Sequence, residues 1–262
     1  MNRIKMVVAV TIAAVVSGCV TAPEQRGGAF RMMSYNIRHG WGMDGRTDVS
    51  RAGEVLARES PRFVGVQEVD QCTQRVKGTN TCEVLARLTG MHATFAKAID
   101  HAGGEYGNAV LSRETPRSVR RIPLPGKEPR VLLLCEFDDC WFGTTHLDVA
   151  DERSRLGSIE IIRKTVAACG EKPVFLTGDW NSHPDSSVLA GLKEFLTIIS
   201  DEGQATFHGG APTGFESQNR NRCIDYVAID TAHSGAFRVL DRRVIPDRVT
   251  SDHAPILVDL GR

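Results

Sequence analysis

No stretch of this 262-residue chain is long and apolar enough to cross a bilayer as a helix. The longest apolar run, Met6–Val16, is eleven residues, where about 20 are needed. A net charge is also missing. The 32 Lys and Arg residues balance 32 Asp and Glu, so the chain does not coat nucleic acid by bulk electrostatics, although one local basic groove remains open to it. Proline (11) and glycine (25) are too scarce for a disordered or collagen-like chain. No CxxC pair and no Cys/His cluster of zinc spacing occurs, which argues against a structural zinc site. Internal repeats and low-complexity blocks are absent, and no linker interrupts the chain after residue 28. What remains is one domain, 29–262, long enough to bury a core.

The N-terminus stands apart from that domain. Arg3 and Lys5 precede the apolar run, the pattern of a secretory leader. The run ends in Val16-Ser17-Gly18-Cys19, which resembles a bacterial lipobox. That resemblance implies removal of residues 1–18 and a lipid on Cys19, against the alternative of a plain leader with an incidental Cys. The polar, Gly-rich stretch 19–28 then serves as a tether. Such a protein would sit in the cell envelope, lipid-anchored on the extracytoplasmic side of a membrane.

Six further cysteines, an even number outside the cytoplasm, suggest disulfides. Cys135 and Cys140 flank an acidic hairpin turn, and Cys72 and Cys82 bracket a polar loop. Cys169 and Cys223 pair by elimination. Six reduced, buried thiols are the alternative.

Periodicity predicts strands at Phe30–Arg38, Arg62–Glu68, His92–Lys97, Tyr106–Ser112, Arg130–Glu136, Trp141–His146, Pro173–Thr177, Ile224–Ile229, Phe237–Leu240 and Ala254–Leu260. It predicts helices at Asp48–Glu59, Glu83–Thr89, Ala150–Ala168 and Ser186–Phe195. Strands and helices do not alternate strictly, which favours mixed α/β sheets over a Rossmann domain. Five strands run out into Asn, Glu, Asp or His, at Asn36, Glu68, His146, Asp179-Trp180-Asn181 and Asp252-His253. One such end is ordinary turn chemistry. Five of them assemble the groups that hold a hard divalent cation and move protons.

The segments SYNIRHG (34–40), VGVQEVD (64–70), EYGNAVLSR (105–113), TTHLDV (144–149), TGDWNSHPDS (177–186), CIDYVAI (223–229) and TSDHAPILVDL (250–260) follow one another in the order of a known family. The chain resembles the endonuclease/exonuclease/phosphatase superfamily, related to deoxyribonuclease I. The resemblance implies an α/β four-layer sandwich of two mixed, largely antiparallel β-sheets flanked by helices. It implies hydrolysis of phosphoesters with Mg²⁺, for which Mn²⁺ could substitute, by a monomer. The substrate would be nucleic acid, a phospholipid headgroup or a small phosphoester.

Residue by residue, the resemblance makes Glu68 the metal ligand, with Asn36 at the metal or the scissile phosphate and Asp252 completing the site. Asp179 and Asn181 would orient the attacking water and the phosphate. His253 would pair with Asp225, and His146 with Glu105. Whether Asp179 or His253 takes the proton stays open at this level. Arg113, Arg117, Arg120 and Arg121, with Arg220, Arg222 and Lys77, form either a nucleic-acid track or a solvated arginine face. His39 and His183 sit inside motifs and are candidates for the rim. Trp41 and Trp180 are either stacking platforms or core. A non-catalytic binding protein that kept the fold is the rival from another class.

Overall fold

A computed structural model describes residues 30–209 and 222–262. The leader, the tether with Cys19, and Arg220 lie outside the described residues. The elements, in chain order, are β1 (Phe30–Asn36), α1 (Val49–Glu59), β2 (Phe63–Gln71), α2 (Thr81–Thr89), β3 (His92–His101), β4 (Gly104–Ser112), β5 (Ser118–Leu124) and β6 (Arg130–Glu136). There follow β7 (Trp141–His146), α3 (Glu152–Ala167), β8 (Val174–Asp179), α4 (Ser187–Lys193), β9 (Leu196–Ile198), β10 (Asp225–Asp230), β11 (Arg238–Val244) and β12 (Ile256–Gly261). Each helix starts on a side chain that accepts a backbone N–H: Asp48, Asn80, Asp151 and Ser186.

The strands form two six-stranded sheets, ordered β11-β12-β1-β2-β4-β3 and β5-β6-β7-β8-β10-β9. Within each, one central pair is parallel, β1–β2 and β7–β8, and the other pairs are antiparallel. Central strands carry apolar residues on both faces, and the period of two sends neighbours to different layers. Met32, Phe63, Val110, Leu133, Phe142, Phe175 and Val258 fill the space between the sheets. Met33, Tyr35, Val64 and Val66 pack outward with Val49, Ala52 and Leu56 of α1 and Leu85 of α2. Leu132, Leu176 and Tyr226 pack outward with Ile159 and Ile162 of α3 and Val188 and Leu192 of α4. The result is the helix–sheet–sheet–helix sandwich expected. Burying each of these large side chains contributes about 1.5–3 kcal/mol before the entropy of ordering it.

The sheets approach closely at Gly65 in β2. A Cβ there would lie 1.9 Å from Thr177 Oγ1 and 2.7 Å from Thr144 Oγ1, so no side chain fits. Nearby, Gln67 Nε2 donates to Ser34 Oγ and to Thr144 Oγ1 across the gap, at 3.1 and 2.7 Å. A small residue and the two bonds donated by the Gln67 amide nitrogen thus link the sheets just below the strand ends that carry the motifs.

Two strands, β5 and β9, are absent from the periodicity. Ser118–Leu124 holds Arg120, Arg121 and Pro123, residues tolerated on an edge strand, and β5 is an edge. The three-residue β9 is too short for a pattern.

The disulfide expectation is corrected, because Cys72, Cys82, Cys135, Cys140, Cys169 and Cys223 are all free. In the β6–β7 hairpin Cys135 faces Phe142, while the Phe137 N–H meets the Cys140 carbonyl. The two cysteines are therefore diagonal neighbours, which sit about 7–8 Å apart in such ladders, beyond normal disulfide reach. Cys72 is exposed, whereas Cys82 is buried among the side chains beneath α2. Cys169 packs with Leu134, Trp141 and Val174, and Cys223 packs in a separate cluster with Trp180 and Tyr226. Burial pushes the thiols of Cys82 and Cys135 up to about 12.

Candidate active site

The topology brings the motif-bearing strand ends to one rim. Asn36 pairs with Gln67 across β1–β2, His146 with Asp179 across β7–β8, and Asp179 with Asp225 across β8–β10. Because the two sheets pack face to face, residues from both close over one point.

Backbone geometry then aims the side chains. Among the described residues eight non-glycine residues have positive φ, and four of them are Arg38, His39, Glu68 and Asn181, all inside motifs at this rim. Such conformations cost of order 1–3 kcal/mol and persist where the surroundings over-determine them. At Glu68 (φ 56°) the pairing of β2 with β4 shifts register between Val66 and Val69. This bulge turns the carboxylate off the sheet face and into the site.

Asn36 is fully buried at the centre. Its Nδ2 donates to Glu68 Oε1 at 3.1 Å and to Asp179 Oδ2 at 3.0 Å, and its Oδ1 accepts the Arg38 N–H at 3.0 Å. The amide thus links two carboxylates as a donor, with its oxygen turned to the backbone. Ser251 Oγ donates to the Asn36 carbonyl at 2.8 Å and accepts from the His253 N–H at 3.2 Å, which ties the β1 end to the last motif.

His253 and Asp225 form a buried pair. Nδ1 lies 2.9 Å from Asp225 Oδ2, the same oxygen that accepts from Thr206 Oγ1 at 2.6 Å. Nε2 faces Asp179 Oδ2 at 3.6 Å. Phe207 packs on the imidazole with ring centroids 4.8 Å apart, and the Arg222 guanidinium covers the same phenyl ring. Burial works against a charge on His253, but Asp225 and then Asp179 outweigh it and push the ring up to about 10. Burial and the neighbouring Asp225 charge raise the Asp179 carboxyl above its ordinary range. Asp179, Asp225 and His253 offer ligand-type atoms within 4.8 Å of one another. The imidazolium already supplies there the positive charge that an ion would bring.

Glu68 behaves in the opposite way. Burial opposes its ionisation, but the His39 imidazole at 3.7 Å, then His146 and His253, prevail and hold its carboxyl well below the usual range. Its partly exposed carboxylate keeps oxygen free for a hard cation, which takes few protein ligands and several waters. Asp252 is held by Arg38, whose Nε lies 3.2 Å from Oδ2. The Arg38 guanidinium in turn lies 4.3 Å above the Trp41 ring.

Asn181 is near His146. Its N–H donates to Asp179 Oδ1 at 3.0 Å, and its Nδ2 donates to the Leu147 carbonyl at 3.0 Å while lying 3.0 Å from His146 Nε2.

The Glu105–His146 pairing is not formed. Glu105 lies opposite Gln71 and Asp100, beyond the bulge, with its half-exposed side chain 3.4 Å from Lys97. His146 instead faces Arg130, whose Nη1 is 3.5 Å from Nδ1. Arg130, Arg38, Thr206 and Phe207 are thus parts of the site that sequence reasoning missed. Arg38 lay inside a motif, but the other three carry no local signal.

The arginine run lies elsewhere. Arg117 pairs with Asp138, Arg120 covers the Trp141 ring at 4.3 Å, Arg121 Nε donates to the Phe95 carbonyl and Arg113 Nε to that of Pro61. Trp141 begins the strand whose other end is His146. Trp180 is fully buried and stacks on Tyr226, so it belongs to the core, and His183 is exposed.

Comparison with known proteins agrees with this architecture. A crystal structure of an endonuclease/exonuclease/phosphatase from Beutenbergia cavernae DSM 12333 is 23% identical, with a TM-score of 0.72, over 89% of this chain and 72% of that one. A mannosyl-6-phosphatase of Bacteroides thetaiotaomicron VPI-5482 is 17% identical, with a TM-score of 0.68, over 89% and 100%. The human Nocturnin catalytic domain is 16% identical, with a TM-score of 0.61, over 89% and 94%. No curated protein matches the chain. Residues 33–253, which span all the motif-bearing strand ends, match the family profile itself, and the chain belongs to the Endonuclease/Exonuclease/phosphatase family.

Proposed function

We propose that this protein is a divalent-metal-dependent phosphoester hydrolase, tethered by a lipid on Cys19 to the extracytoplasmic side of a membrane. The observation that carries the reading is the convergence of Asn36, Glu68, Asp179, Asn181, Asp225 and His253, from five strand ends or the turns beside them, on one buried polar point. Mg²⁺ fits the hard, ionised Glu68 carboxylate, with Asp252 and the Asn36 amide beside it. When bound, it would polarise the phosphoryl oxygen and stabilise the leaving group.

The remaining chemistry belongs to the chain. Asp179, its carboxyl raised by burial and by Asp225, receives the proton of the attacking water. His253, charged through Asp225, does not act as that base. It donates from Nε2 to a phosphoryl oxygen, and Asp225 holds the ring in place. The amides of Asn36 and Asn181 fix the line of attack, and no nucleophilic Ser or Cys is needed.

Because Arg113, Arg117, Arg120 and Arg121 are engaged by Pro61, Asp138, Trp141 and Phe95, and only Arg222 of the basic set reaches the site through Phe207, duplex tracking is not favoured. The likeness to a sugar-phosphate phosphatase makes small phosphomonoesters the first class to try. The test is a screen of the mature protein with Mg²⁺ or Mn²⁺ over DNA, RNA, phosphoinositide, sphingomyelin and sugar phosphates, each with and without EDTA. Metal-dependent phosphate release supports the reading. Inactivity on all of them, or activity that survives EDTA, overturns it.

A further inference from the structure

The two histidines of the site stand in opposite environments. His253 has a carboxylate at 2.9 Å on Nδ1. His146 has a guanidinium 3.5 Å from its Nδ1. That guanidinium belongs to Arg130, whose side chain is only 5% exposed, and the same Nη1 is anchored by Glu128 Oε1 at 2.9 Å. Arginine carries donors alone and does not lose its proton in proteins.

The other ring nitrogen of His146 is also met by a donor. Asn181 Nδ2 lies 3.0 Å from Nε2, and its bond to the Leu147 carbonyl fixes which way the amide points. A protonated ring has an N–H on both nitrogens and no lone pair. It would oppose the donors of Arg130 and Asn181, with Asp179 Oδ2, 3.4 Å from Nε2, as the acceptor on that side, and it would place its charge beside that of Arg130 in a buried site. An uncharged ring keeps one lone pair and can accept. The carboxylate expected to favour the charged form, Glu105, is occupied with Lys97 at 3.4 Å.

We propose that Arg130 is a positioning residue that keeps His146 uncharged, so that His146 serves the reaction as a neutral hydrogen-bonding group and not as the acid that protonates the leaving oxygen. The charged groups around the ring do not reverse this. Glu68, Asp148 and Asp179 face it from β2, the loop after β7 and β8, and favour protonation. Burial comes first against it, followed by Arg130 from β6, with His253 adding to them from the loop before β12, and the ring is lowered to about 3. One site thus separates two histidines into a cation and a neutral ring, the pattern by which a fold divides roles between like residues.

The consequence for the leaving group rests on the phosphoester reading above, but the charge of His146 is measurable without substrate. The experiment is NMR titration of the full mature chain carrying labelled histidine, without metal or substrate, with the His146 signal assigned through His146→Gln. In the wild type that signal should stay at neutral-imidazole shifts from pH 5 to 8. Arg130→Met should raise its midpoint by about one pH unit or more, because a nearby positive charge is gone. Arg130→Lys, which keeps the charge, should hold it low. A wild-type His146 that titrates near its ordinary value of about 6.5 overturns the proposal, and so does a midpoint equal in the Met and Lys variants. If the Met variant does not fold, the wild-type titration decides. A protein that hydrolyses nothing refutes the functional reading while the titration still decides the charge of His146.

Discussion

His253 Nδ1 lies 2.9 Å from Asp225 Oδ2 in a pair whose side chains are 5% and 2% exposed. Twenty-eight residues separate them in the chain, and the two sheets bring them together. Asp225→Asn should leave the fold intact and cost about 10²-fold or more in kcat, the scale of a lost acid–base or charge-holding contribution. His253→Ala should cost at least as much. The double variant should fall no further than the worse single one, because the residues act as a unit. Additive losses in that cycle would show the pair to be structural only.

The same pair should be legible in stability. The His253 pKa is raised on folding, from an unfolded value of about 6.5 to about 10. Its contribution is therefore complete below the lower value and lost as pH rises through the upper one. Urea denaturation should show stability falling between pH 7 and 10, and Asp225→Asn should flatten that fall. An equal slope in both proteins would remove His253 as the cause.

Glu68→Gln keeps the shape and removes the charge that a hard cation needs. Calorimetric Mg²⁺ binding should weaken by about tenfold or more, on the scale of losing a metal-site contact, and hydrolysis should drop with it. Unchanged affinity would move the metal away from Glu68.

Asn36 lies within 3.1 Å of one carboxylate and 3.0 Å of another and donates to both. Asn36→Asp would place a third carboxyl among them, and like charges raise one another's pKa. The variant should melt well below wild type at pH 8, and the gap should narrow as pH falls toward 5. A gap that does not depend on pH would mean that the lost amide, not charge, is responsible.

Cys19→Ser tests the anchor. The wild type should incorporate labelled palmitate and sediment with membranes, and the variant should do neither. An unlabelled, soluble wild type would discard the anchor.

Much of the site was legible because the family's chemistry is written at strand ends. Asn36, Glu68, Asp179, Asn181, Asp225, Asp252 and His253 each sit beside an apolar run that periodicity exposes, and Val49, Ala52, Val55 and Leu56 mark the buried face of α1 in the same way. Contacts across the sandwich were not legible. Arg130 sits at the first residue of an apolar strand with no motif around it. Nothing in local order says that β6 will present it to His146 while the bulge after Val66 leaves Glu105 outside.

The cysteines divide along the same line. Their even number and the hairpin around Cys135 and Cys140 were visible in the chain, but whether a sulfur meets a sulfur depends on register. A register shift of two residues separates opposite from diagonal partners on one face, and only the pairing of Cys135 with Phe142 decided it. The amino-acid order by itself determined most of the strands and helices and the acidic and imidazole groups of the rim, because those follow from local period and residue chemistry. The tertiary structure alone decided which imidazole meets a carboxylate and which meets a guanidinium, because charge state in a buried site is set by neighbours from other strands.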